Sequence, residues 1–303
     1  MRYTRLVIAA GVGTLLLTGC AESGREDADA DTRGGASAVR EVVTEADIVL
    51  PVSAYFFTPE QQARVDTAHA TLAADCMKRF GFDWPVAKAQ PAEVVSRRYG
   101  VVSEKVAAEH GYHMIPVAGG DEHAEGAVSG GAELPPEAYM VYGAKGGKAS
   151  PGGSYRGKDV PEGGCVGEAS RTLGLDKVQN PKKGRIGLLS IDFTSFGQAQ
   201  RMPEFTRAED AWASCMKKAG YRHTAFLQPG EKYTGRGSTA SPQEKAVAKA
   251  DVTCKRDTKL ATVLLRLETW IQNDYIEQNA AGFAEIKKDQ VAVIKAADKA
   301  LAN

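Results

Sequence analysis

The sequence predicts a mainly α protein: two divergent helical half-repeats, each closed by a disulfide, with a long Gly-rich insertion in the first half and a long C-terminal helix. Three observations carry this expectation. Almost the same words occur twice, "AADCMKRFGF" at residues 73–82 and "ASCMKKAGY" at 213–221. Apolar residues precede each copy at steps of three and four, the spacing of one helix face. Cysteines fall in matching places: Cys76 and Cys215 lie in the repeated words, and Cys165 and Cys254 each open a downstream Cys-x-x-acid segment.

Residues 1–19 read as an export signal. Arg2 and Arg5 precede an apolar stretch from Leu6 to Leu17, which is shorter than the ~18 residues a membrane span needs. The tetrad Leu17-Thr18-Gly19-Cys20 resembles the lipobox of bacterial lipoproteins, which implies diacylglycerol on the Cys20 thiol and Cys20 as the first mature residue. No later segment is apolar enough to span a bilayer. After Cys20 comes the polar, acidic "AESGREDADADTRGGASA", which cannot bury enough surface to fold, and residues 20–48 read as a flexible tether. Folded structure is expected from about Val49, with a first helical half at 49–200 and a second at 201–303.

Thr58-Pro59-Glu60-Gln61 opens the first strong helix: Thr58 caps, Pro59 suits the first turn, and Gln61 stands at the third helical position. Val65, Ala68, Leu72, Cys76 and Phe80 form its apolar stripe, and Gly81 stops it. In the second copy Phe205, Ala208, Trp212, Cys215 or Met216, and Ala219 repeat the stripe before Gly220. Each Cys-Met-Lys-x-x-Gly-aromatic unit is thus the last turn of a helix and its cap. Glycine supplies the left-handed backbone there, and the lysines complement the helix dipole.

The stretch from Trp84 to Gly164 is rich in Gly, Pro and charge and reads as an insertion. Within it "SEKVAAEH" (103–110) predicts a short helix stopped by Gly111, and "EAYMVYG" a short strand. "GRIGLLSIDFTSFGQAQ" fits both periods and is assigned to helix. Ser241-Pro242-Gln243-Glu244 reads as a capping box that launches a stripe through Val247, Ala250, Cys254, Ala261, Leu264, Leu267, Ile271, Tyr275, Phe283, Ile286, Val293, Ala297 and Leu301. Unbroken, that helix would be roughly 90 Å long. It therefore either breaks near Asn279–Gly282 or projects as an arm for a partner helix.

With Cys20 assigned to lipid, Cys76, Cys165, Cys215 and Cys254 form an even set in an oxidising compartment. Four cysteines allow three connectivities; if each half repeats one plan, Cys76 pairs with Cys165 and Cys215 with Cys254. No Cys-x-x-Cys occurs, which removes the usual mark of a thioredoxin-type redox site or a zinc ribbon. Loss of residues 1–19 takes two of the 38 basic residues and none of the 38 acidic ones, leaving a formal charge of about −2. Such a balance gives no electrostatic footprint for nucleic acid.

Three motifs resemble known chemistries without meeting their requirements. Ser214-Cys215-Met216-Lys217 matches Ser-x-x-Lys, but Ser214 falls near a helix end instead of a helix start, and its repeat equivalent is Asp75. "GAKGGKAS" imitates a phosphate loop, yet its glycine spacing is one residue short, Ala149 replaces the hydroxyl, and Pro151 stands where a helix should begin. Glu109, His110, His113, Asp121, Glu122, His123 and Glu125 are the densest group of metal-ligand types, but Gly111 breaks the helix that would align His110 with His113. No Gly-x-Ser-x-Gly occurs, and His69 and His223 read as a helix-face and a loop residue. Trp84, Trp212 and Trp270 read as core residues. No catalytic, metal-ligating or cofactor-binding residue is assigned.

The segments "YG…GYH", "VPEGGCVGEA", "W-x-x-CMKKAGY" and "SPQEKAVAKADVTCK" together resemble a family of uncharacterised secreted proteins and lipoproteins of actinobacteria, from about Thr58 to Trp270. The resemblance implies location and architecture; it brings no reaction, cofactor or catalytic residue. The expectation is a noncatalytic lipoprotein on the outer face of the cytoplasmic membrane. It would be held there through Cys20 and bind an envelope protein, cell-wall polymer or other ligand, or serve as a transport accessory. The alternative is a secreted envelope hydrolase using paired carboxylates.

Overall fold

The computed structural model describes residues 39–86, 88–91, 95–115, 136–145, 148–149, 153–179, 187–233 and 239–302. Residues 1–38, with the signal peptide, Cys20 and most of the tether, lie outside them. Among the described residues the fold is mainly α, with two two-stranded hairpins, and no helix is long and apolar enough to cross a membrane.

Folded structure begins before Val49. Val42 is buried in the main core and its amide donates to Thr262 Oγ1, while Glu45, in a short 3₁₀ turn at Glu45–Asp47, is buried as well. Residues 39–48 are therefore part of the packed body, not of the tether. Val39, Val42 and Ile48, which pack on that core, are too few and too irregularly spaced to mark the segment in the sequence. A second 3₁₀ turn, Pro51–Tyr55, follows.

Helix α1 (Pro59–Arg79) starts as its residues dictate: Thr58 Oγ1 accepts from the Gln61 amide and Gln61 Oε1 accepts from the Thr58 amide. Its end matches that of α7 (Pro203–Lys218). Gly81 and Gly220 sit at φ +84° and +92°, and in each copy the next aromatic residue closes the turn, Phe82 N–H to Met77 O and Tyr221 N–H to Met216 O. Both are Schellman caps, with the repeated methionine fully buried under the turn.

Between these copies lie α2 (Glu104–His110), α3 (Pro136–Tyr142), the hairpins β1–β2 (Ala144–Lys145, Lys148–Ala149) and β3–β4 (Gly153–Tyr155, Lys158–Val160), α4 (Gly164–Leu173), α5 (Leu175–Gln179) and α6 (Leu188–Ala199). "EAYMVYG", expected as a strand, is the helix α3. Its Ala138 and Val141, three apart, are both buried against Cys76, Cys165 and Trp84, so a helical step brings both onto the core. The turn after α3 packs backbone on backbone with the start of α4. A Cβ on Gly143 would stand 2.0 Å from Gly163 O, and one on Gly164 2.5 Å from Gly143 Cα.

The C-terminal stripe forms three helices, α9 (Pro242–Asp257), α10 (Leu260–Gln278) and α11 (Ala280–Leu301), after the single turn α8 (Gln228–Glu231). The break at Asn279 is the one the sequence marks near Gly282. The break at Lys259, a lysine at φ +55°, has no glycine or proline to announce it. No arm projects: α11 folds back on α1, α4 and α5, where Val293 and Ala297 pack on Val65, Ala68, Leu173 and Leu175.

Cys76 is bonded to Cys165 and Cys215 to Cys254, with Cα–Cα distances of 5.5 and 5.6 Å, which is the pairing the repeat favours. The first bond joins the last turn of α1 to the first turn of α4; the second joins α7 to α9. The main core lies between α6, α7, α9 and α10 around Trp212, Leu260 and Leu264. Helix α2 packs on α9, and the Pro51–Tyr55 turn wedges Val52 between Ile191 and Phe283.

Candidate functional site

The segment Ser96-Arg97-Arg98-Tyr99, inside the insertion, threads the chain's charged interior. Its residues hold three buried or half-buried carboxylates from distant parts of the sequence. Arg98 Nε donates to both oxygens of Glu268 at 3.0 and 3.1 Å, Nη1 donates to Asp192 Oδ2 at 2.8 Å, and Nη2 donates to Glu268 Oε2 and to the Asp192 carbonyl. The guanidinium also lies 5.0 Å from the Phe196 ring centre. Burial opposes the Arg98 charge, but the hydrogen bond and attraction of Glu268, joined by Asp192, outweigh it and hold Arg98 above its ordinary pKa.

Glu268, on α10, is 0% exposed and fully occupied. Tyr99 Oη donates to its Oε1 at 2.8 Å and Ser195 Oγ to its Oε2 at 3.2 Å. Burial, with Glu268 alongside, pushes the Tyr99 phenol far above its usual range, so it stays a donor. Gln272, one turn further along α10, carries the network to the Pro51–Tyr55 turn by donating to Ser195 Oγ and accepting from the Val52 amide. Arg97 turns the other way: its Nη1 lies 3.6 Å from Glu45 Oε1, and Nη2 donates to the His113 carbonyl. Glu45 Oε1 accepts the Val102 and Ser103 amides ahead of α2.

An open pocket of about 210 Å³ sits over this network. Ile48, Leu50, Val52 and Phe56 form its apolar wall, and Ser53, Ser96, Arg98 and Asp192 its polar side. Asp192 is the pocket's carboxylate. Its Oδ2 is taken by Arg98, and no hydrogen bond among the described residues reaches Oδ1. Beside it on α6, Leu189 and Phe193 stand 63% and 71% exposed.

A second interior network is closed to solvent. Asp251 on α9 accepts from Trp212 Nε1 at 2.9 Å, Tyr112 Oη at 3.1 Å and Lys255 Nζ at 3.0 Å, and Lys255 also donates to the Val101 carbonyl. Burial raises the Asp251 carboxyl above its usual range, against the pull of Lys255. Ser241-Pro-Gln-Glu244 forms half of the expected capping box. Ser241 Oγ accepts the Glu244 amide, but the Glu244 carboxylate turns away to cap the end of α2, accepting the Tyr112 amide and a 2.8 Å contact with His113 Nδ1. The tertiary partner wins because α2 ends beside α9, at Gly111.

The other sequence candidates have settled places. Ser214 is exposed near the end of α7, one residue before a bonded cysteine. The phosphate-loop imitation follows a helix instead of a strand, and its ends pair as the antiparallel hairpin β1–β2. Of the metal-ligand group, Asp121, Glu122, His123 and Glu125 lie outside the described residues, while His113 faces Glu244 and His110 lies 3.8 Å from Glu109. No three His, Cys, Asp or Glu converge on a metal-binding geometry among the described residues. His69 on α1 reaches Val166 O and Ser170 Oγ of α4, His223 is a loop residue, and Trp84 and Trp212 are core while Trp270 is 37% exposed.

Arg97, Arg98, Asp192, Glu268 and Asp251 belong to no motif in the sequence. The adjacent arginines between apolar neighbours in "VVSRRYGVV" were the one local sign. The acids sat at helical positions that read as solvated faces. No protein-family model, curated protein or solved structure matches the chain.

Proposed function

We propose that the chain is a lipid-anchored protein of the outer face of the cytoplasmic membrane that works without catalysis, by binding an envelope partner or ligand. The observation that carries this reading is the occupancy of the buried acids. Glu45, Glu244, Asp251 and Glu268 are each held by two or more donors from other elements, as groups that fix a scaffold are. Two disulfides fit export to an oxidising compartment, and the lipobox-like tetrad at Cys20 supplies the anchor. The resemblance to secreted and lipidated actinobacterial proteins agrees with that address.

The alternative, an envelope hydrolase, needs two acids on one cleft. The described pocket presents Asp192, and its other carboxylate neighbour, Glu268, lies beneath Arg98 with both oxygens engaged. Glu209 and Asp251, the acids whose carboxyls burial raises, line no part of it. Purification from membranes in mild detergent, followed by identification of what stays bound, tests the proposal. The expected result is an envelope component retained through washing; cleavage of a cell-wall substrate with nothing retained would overturn it.

A further inference from the structure

We infer that the pocket over Arg98 takes an alkylammonium group, a primary ammonium on a short apolar stem. The inference rests on the binding reading above and names the ligand chemistry for it. Three features of the pocket select this class over the alternatives.

The first is charge. Arg98 contributes one positive charge and Asp192 and Glu268 two negative ones, so the ion cluster at the polar side of the pocket is net negative. The second is donor commitment. Of the five N–H groups a guanidinium owns, four are engaged by Glu268, Asp192 Oδ2 and the Asp192 carbonyl, which leaves little for an incoming anion. By contrast Asp192, a quarter exposed, keeps Oδ1 for a donor. An ammonium, with three donors and no acceptor, is the complement of that oxygen. The third is the wall. Ile48, Leu50, Val52 and Phe56 would cover a methylene stem while its charged end reaches the polar side, the manner in which lysine stems lie on apolar surface.

Two sources present this chemistry: a free small amine, and a lysine side chain on a partner protein. The exposed Leu189 lies three residues from Asp192 and four from the exposed Phe193, and this apolar pair outside the pocket would serve the second.

The test is ligand-observed saturation-transfer NMR on the full chain in mild detergent, titrating n-butylammonium, Nα-acetyl-lysine N-methylamide, 1-butanol and butyrate. Saturable binding of an ammonium probe is expected, at least tenfold tighter than butanol or butyrate and at least tenfold weaker in Asp192→Asn. Tighter binding of the lysine derivative assigns the partner side chain as source; binding of n-butylammonium alone assigns a free amine. If Asp192→Asn fails to fold, hydrogen exchange of the wild-type chain decides, with ammonium-dependent protection expected in 48–56 and 187–193. No saturable ammonium binding, butyrate binding as tight as ammonium, an unchanged Asp192→Asn, or protection confined elsewhere would overturn the inference. Such a failure alongside a partner retained from membranes would leave the binding function standing and remove this ligand class.

Discussion

The Arg98 guanidinium lies against the Glu268 carboxylate with Nε 3.0 Å from Oε1, in an interior where Glu268 is wholly shielded from water. Removing the cation strands that charge. Arg98→Met should therefore destabilise the fold by about 3–5 kcal/mol in urea denaturation. Arg98→Lys should recover little, since one ammonium cannot serve Glu268 and Asp192 with the geometry of a planar fork. A loss below about 1 kcal/mol would mean the pair is not structural.

His69 ties α1 to α4 through Nε2, 2.9 Å from Ser170 Oγ and 3.2 Å from Val166 O. Burial lowers its pKa below 6.5, against the raising effects of the Val166 carbonyl and Asp66. The folded state thus resists a proton that the unfolded state accepts. Stability from this group is fully present above pH ~6.5 and is lost as pH falls from there through the folded pKa. Denaturation midpoints measured at pH 7 and pH 5 should drop more for the wild type than for His69→Gln. Equal drops would contradict the assignment.

Gly143 and Gly164 touch backbone to backbone. Gly143→Ala would drive a methyl into Gly163 O at a backbone angle of φ +101°, and should cost at least about 2 kcal/mol. Gly197→Ala is the opposing control, because in α6 the new methyl meets only the tip of Arg201 at 3.8 Å. It should stabilise by about 0.5–1 kcal/mol. Thermal melts of the two variants should move in opposite directions.

Lys259 holds the left-handed conformation at the α9–α10 junction, which costs a side-chain-bearing residue roughly 1–2 kcal/mol. Lys259→Gly should therefore stabilise by about 0.5–1 kcal/mol, part of the relief being offset by the greater freedom of glycine when unfolded. A destabilised variant would show that the lysine side chain contributes more than its backbone strain costs.

How much of this was legible in the sequence depended on the range of the interaction. The repeated helix ends were readable because cap and dipole act within one turn, and the structure buries Met77 and Met216 under the same turn in both copies. Thr58 and Gln61 announced α1 for the same reason. The break at Lys259 was not readable, since tertiary packing of α9 and α10 forces a left-handed turn on a residue with no preference for it. Glu244 obeyed half of its local rule and gave its carboxylate to Tyr112 and His113, 132 and 131 residues away. The pocket was the least legible feature: Arg98, Asp192 and Glu268 lie in three segments that only the fold brings together, and each alone reads as an ordinary surface charge.

The proposed address is the outer face of the membrane, with the chain anchored through Cys20 and closed by two disulfides. Intact-mass and nonreducing peptide mass spectrometry of protein purified from membranes tests it directly. The predicted result is a chain beginning at Cys20, carrying acyl groups, with Cys76 linked to Cys165 and Cys215 to Cys254. A chain that keeps residues 1–19, without acyl mass and with free thiols at those four cysteines, would contradict it.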